Sequence, residues 1–126
     1  MTIRQVIADL AARNLENRLN KLTEMGAPRI ILDQTSKALE EAKAGNIKVN
    51  GLERKHKEAA ESEVIALYQA IATGHYYKDG KQKTLVLKLE TEAGTYFYDY
   101  RDNKIGSSFT ELSVFVPDDQ FELVWN

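Results

Sequence analysis

Residues 83–101, K-T-L-V-L-K-L-E-T-E-A-G-T-Y-F-Y-D-Y-R, alternate in polarity with a period of two. Leu85, Leu87 and Leu89 interleave with Val86, Lys88 and Glu90; Tyr96, Tyr98 and Tyr100 interleave with Thr95, Phe97, Asp99 and Arg101. Side chains of a strand point to opposite faces in turn, so this pattern specifies two strands, each with two distinct faces. Glu92-Ala93-Gly94 between them reads as the turn that folds one strand back on the other. The leucines are expected to face helices, and the tyrosine row ending in Arg101 is the candidate for a surface that binds something.

The same period continues around this hairpin. His75-Tyr76-Tyr77-Lys78 reads as a short strand and Asp79-Gly80 as a hairpin turn. Asp102-Asn103 starts a further turn that closes near Gly106. Leu112, Val114 and Val116 form another alternating run, Pro117-Asp118-Asp119 turns the chain, and Phe121, Leu123 and Trp125 alternate with Glu122 and Val124. Five strands at short spacing predict an antiparallel meander over 75–126.

Ahead of Gly74 the period is helical. Thr2 is a candidate N-cap for a first helix, with Ile3, Ile7, Ala11, Leu15 and Leu19 at four-residue spacing and Gly26 as its stop. Pro28 suits the first position of a second helix that carries Ile30, Ile31, Leu32, Ala38, Leu39 and Ala42 and ends at Ala44 before Gly45. Val64, Ile65, Leu67, Tyr68 and Ile71 predict a third helix over 53–73. The expected fold is therefore α+β: three N-terminal helices packed with a C-terminal five-stranded antiparallel sheet, in a single domain over residues 1–126.

Composition narrows the function classes. Cys is absent, which removes disulfides, thiolate metal sites and a cysteine nucleophile and suits a reducing cytoplasm. No run is apolar and long enough for a membrane span. Residues 1–74 hold 11 Lys/Arg against 10 Asp/Glu and residues 75–126 hold 6 against 9, giving a net charge of −2 and no general duplex-binding field. His56 and His75 lack metal or general-base spacing, Ser107-Ser108 lacks a nucleophile elbow, and no phosphate-binding glycine loop occurs. Neither an enzyme nor a cofactor or metal site is expected.

The cations and aromatics point to binding instead. Arg54, Lys55, His56 and Lys57 are the densest cationic cluster, and Tyr76, Tyr77, Tyr98 and Tyr100 stand near Lys78, Lys83, Arg101 and Lys104. Tyrosine stacks on rings and arginine holds phosphates in a bidentate fork. The order Arg18-Leu19, Met25-Gly26, Val49-Asn50-Gly51 resembles the small S4-type RNA-binding module, though the spacing before Val49 is longer and no second strand follows Gly51. That resemblance implies RNA contact through 54–57. As a layout, helices followed by an antiparallel sheet resemble the phage anti-Thoeris sponge family. Such a likeness implies a homo-oligomer that sequesters a cyclic ADP-ribose-like signal without cleaving it, in the host cytoplasm. For that ligand, Tyr98 or Tyr76 would stack, and Arg54, Arg101 and Lys104 would hold phosphate. The alternative is a protein–protein inhibitor or adaptor that uses Asp118, Asp119, Glu122 and Trp125. Oligomerisation would run through the long first helix or a sheet edge.

Overall fold

The computed structural model describes residues 1–52, 54, 57–74, 82–106 and 115–125. They form two compact units, Met1–Lys48 and Val49–Asn126.

The first unit is a helical hairpin. Helix α1 spans Ile3–Glu24 and opens on a capping box: the Gln5 N–H donates to Thr2 Oγ1 (3.2 Å) and the Thr2 N–H donates to Gln5 Oε1 (2.8 Å). Helix α2 spans Arg29–Lys43, with Pro28 as its N-cap residue. Both helices end in the same way. The Ala27 N–H reaches back to Leu22 O and the Gly26 N–H to Thr23 O; the Asn46 N–H reaches Glu41 O and the Gly45 N–H reaches Ala42 O. This pairing needs a left-handed residue at the stop, and Gly26 (φ 68°) and Gly45 (φ 81°) supply it. The helices meet through Ala12, Leu39 and Ala42, with Ala11, Leu15, Leu19 and Ile47 packed around them.

The second unit is a five-stranded antiparallel sheet of order β4-β3-β2-β1-β5. Its strands are β1 (Val64–Gly74), β2 (Gln82–Thr91), β3 (Gly94–Asp99), β4 (Lys104–Gly106) and β5 (Glu122–Leu123). Strand β1 lies against β2 from Val64 opposite Thr91 to Gly74 opposite Gln82, with an irregularity between Val64 and Ala66. The register Leu87↔Tyr98, Leu89↔Tyr96 and Tyr98↔Ile105 puts these five residues on one face, and all five are buried. On the opposite face Ala70, Ala72, Val86 and Val116 form a cluster, with Phe97, Phe115 and Phe121 against it. The central strands are thus apolar on both faces.

Two expectations are corrected. The third helix over 53–73 does not form: a short 3-10 turn at Ala59–Glu61 leads into β1. Positions 64, 65, 67, 68 and 71 match a helical stripe, yet Val64, Ile65, Tyr68, Ile71 and Thr73 are β-branched or aromatic, and pairing with β2 along the whole strand decides the outcome. The chain therefore has two described helices, and the first strand begins at Val64 rather than at 75. Nor is the sheet a simple meander. Residues 104–106, expected to close a turn, are β4, and β5 returns past the whole sheet to pair with β1 at Tyr68↔Leu123 and Gln69↔Glu122. Phe115 and Val116 are not in a strand. The expected strand at 75–78 and its Asp79-Gly80 turn lie outside the described residues, as do Leu112 and Val114.

The Asn50-Gly51 turn has a specific structural use. The Asn50 N–H donates to Asn103 O (2.9 Å), the Ile105 N–H donates to Asn50 O (2.9 Å), and Asn50 Nδ2 donates to Asp102 O (3.2 Å). These bonds extend the sheet beyond β4 by a single parallel bridge between Asn50 and Lys104. Gly51 then turns with φ 89°, and a Cβ there would run into the Ile105 carbonyl oxygen. Both the dihedral and the backbone contact demand glycine. Gly51→Ala is expected to cost at least about 2 kcal/mol. Gly26→Ala, with open space around its Cβ, is expected to cost about 1 kcal/mol. Urea unfolding followed by circular dichroism compares them.

Candidate binding site

The β3–β4 turn gathers three of the five residues singled out for ligand contact, Tyr98, Arg101 and Lys104. A four-residue connection from Tyr100 to Asn103 joins Asp99 to its partner Lys104. The local sequence explains the shape. Asp99 Oδ1 accepts from the Arg101 N–H (3.0 Å) and the Asp102 N–H (3.5 Å), an Asx turn, and Asn103 takes the left-handed conformation (φ 50°) that asparagine tolerates. The Tyr98 hydroxyl donates to Asn103 Oδ1 (2.9 Å), tying the strand to its own turn.

This geometry changes what the tyrosine row can do. Tyr98 is 3% exposed and Tyr96 is buried, so these rings belong to the core and no ligand ring reaches the face of Tyr98 without displacing protein. Burial pushes the Tyr98 hydroxyl pKa far above its ordinary value, with the neighbouring Tyr100 and Asp99 adding to the shift. Tyr100, half-buried, meets Tyr98 edge-on at 6.4 Å and is raised by burial as well. Arg101 is half-buried, with Nε 3.9 Å from Asp102 Oδ1, while Lys104 is exposed at the start of β4. Arg54 is exposed three residues beyond Gly51. Tyr76, Lys55, His56 and His75 lie outside the described residues. Asp99 is 1% exposed, and among the described residues its Oδ2 has no hydrogen-bond partner.

The sheet's other border is chemically different. Strand β1 carries no Asp, Glu, Lys or Arg over residues 64–74. Its Ile71 is 65% exposed and Ile65 is exposed too, and on β5 and just after it Leu123 is 59% and Trp125 48% exposed. Asp118, Asp119 and Glu122 are exposed in the same stretch. The C-terminal segment is held to the sheet by Lys88, whose Nζ lies 3.1 Å from Asp118 Oδ1 and 3.9 Å from Glu90 Oε1. That ammonium also sits 5.7 Å from the Tyr68 ring centroid and 5.8 Å from that of Phe121. Phe121 in turn packs on Phe97 at 6.2 Å. Sequence reasoning assigned Trp125 and the acidic residues a role but missed Ile71, because a helical reading of 64–71 turned that side chain inward.

No protein-family model matches the chain, and no curated protein or solved structure does either. Among the described residues no three His, Asp or Glu side chains cluster as a metal site, and no helix is long and apolar enough to cross a membrane.

The Tyr98 hydroxyl yields a pH prediction. A pKa raised in the folded state means that the neutral phenol stabilises the fold. That stability is complete below the ordinary tyrosine value near 10 and is lost as pH rises above it. Tyr98→Phe is expected to cost about 1 kcal/mol at neutral pH through the lost bond to Asn103. It should also flatten the fall in stability above pH 10, measured by urea unfolding of both proteins across alkaline pH.

Proposed function

We propose that this chain is a non-catalytic binding protein that engages a protein partner through the β1–β5 border, as an inhibitor or adaptor of a defence or regulatory protein. The observation that carries this reading is the pair of solvent-facing apolar side chains Leu123 and Trp125 beside Asp118, Asp119 and Glu122, with Ile71 exposed on the other face of β1. Large apolar residues rimmed by charge are the composition of a docking surface, with tryptophan as the anchor and the acids steering a basic partner.

A second reading is sequestration of a nucleotide-derived, cyclic ADP-ribose-like signal, the activity implied by the layout's likeness to the anti-Thoeris sponges. It is favoured by Arg101 and Lys104 standing on one short turn. In that reading Tyr100 rather than Tyr98 supplies the stacking ring, because Tyr98 is enclosed. Assembly into a homo-oligomer through α1 or a sheet edge is compatible with either.

Cross-linked capture from cell extract, comparing the native chain with Asp119→Lys/Glu122→Lys, tests the first reading. A partner held by the native chain and lost by the charge-reversed variant is the expected result. Heat denaturation of the purified protein that releases an intact nucleotide would transfer support to the second reading; equal capture by both proteins would contradict the first.

A further inference from the structure

Among the described residues the outer edge of β1 is only partly occupied. Strand β5 covers it at Tyr68 and Gln69, and the Val124 N–H donates to Leu67 O (2.9 Å). That last bond fixes the phase of the edge. In an antiparallel ladder both backbone groups of a residue point to the same side, alternating along the strand. Leu67 and Gln69 therefore direct their N–H and C=O groups toward β5, Ala70 and Ala72 direct theirs toward Val86 and Thr84 of β2, and Ile71 and Thr73 point outward again. Among the described residues no backbone group meets Ile71 or Thr73 on that side. The chain has left the edge by then. Preceding β5, it turns through Pro117 and Asp118–Gln120 onto the face of Lys88, to which Asp118 is bonded.

We infer that this open stretch of β1, Ala70–Gly74, takes an added strand: an extended segment of the protein partner that carries lysine or arginine and runs in line with β5. The proposal rests on the protein-binding reading above and specifies how that binding occurs. Main-chain hydrogen bonds to Ile71 and Thr73 supply the attachment, as in strand addition generally. The charge requirement follows from what surrounds the edge. The strand itself is uncharged, Glu122 lies opposite Gln69 on the face that carries Ile71, Asp119 is exposed just ahead of β5, and Lys88, opposite Tyr68, is already engaged by Asp118. Lys83 stands one strand inward, opposite Thr73. Natural edges are protected by an outward lysine, proline or bulge. From Leu67 to Gly74 this one has none of them, with the irregularity placed at the other end.

The probe is an acetylated peptide that alternates lysine with valine, compared with the same peptide carrying glutamate for lysine. Binding to the full chain is followed by titration and by hydrogen exchange at individual amides. The lysine peptide is expected to bind, to weaken as salt is raised, and to slow exchange at Ile71 and Thr73. Ile71→Lys, a change at a solvent-facing side chain checked for folding by circular dichroism, should weaken it roughly tenfold or more. Absence of binding at millimolar peptide, or equal binding of the glutamate peptide, overturns the proposal. So does slowed exchange of these amides in the free protein through self-association, which would assign the edge to a second copy. Binding abolished by Asp119→Lys/Glu122→Lys without slowed exchange at Ile71 and Thr73 also overturns strand addition, while leaving the protein-binding reading intact.

Discussion

The ladder between β1 and β2 is the interaction on which the sheet unit depends. It runs from Val64 opposite Thr91 to Gly74 opposite Gln82 and sets the phase of the strands on either side, β3 and β5. With Ala70 opposite Val86 and Ala72 opposite Thr84, small side chains line one face, leaving room for Val116, Phe115 and Phe121 of the C-terminal segment. A slip of one residue would exchange the faces, burying Gln69 and exposing the alanine row, so the register is strongly specified. The same phase turns Ile71 and Thr73 outward. Core and candidate docking edge are two consequences of one pairing.

Around that ladder the polar side chains hold turns in place. Asn50 ties the incoming chain to Asp102, Asn103 and Ile105, Asp99 caps the Arg101 and Asp102 amides, and the Tyr98 hydroxyl meets Asn103. Three separate tethers converge on one four-residue connection, which keeps Arg101 and Lys104 on a defined turn. Asp99 stands out within it, since one carboxylate oxygen is buried without a hydrogen bond among the described residues, an arrangement that costs stability unless water fills it. At the opposite border a single ammonium, Lys88, joins two rings and two carboxylates and holds the C-terminal segment down.

Much of this was legible in the residues, and the exceptions have physical causes. Thr2, Gly26 and Gly45 mark the helix ends because capping and left-handed geometry are local chemistry that a neighbouring element rarely overrides. The β2–β3 hairpin was legible for the same reason: an unbroken two-residue period on either side of Glu92-Ala93. Residues 64–71 misled because Val64, Leu67, Tyr68 and Ile71 satisfy a helical stripe as well as a strand that is apolar on both faces, and only the partner strand separates the two. β4 is three residues long and carries no period at all. Among the site residues, the tyrosine alternation was right about geometry and silent about burial; what covers a face is a tertiary fact. The acidic residues and Trp125 were legible as surface, whereas the open edge beside them required the ladder.

Residue-resolved hydrogen exchange on the free protein tests the central claim, that β1 is paired to β2 along its length on one side and, among the described residues, open beyond Gln69 on the other. Slow exchange at Gln69, Ala70 and Ala72 with fast exchange at Ile71 and Thr73 is the predicted pattern. Equal protection of Ile71, Thr73 and their alanine neighbours would contradict it.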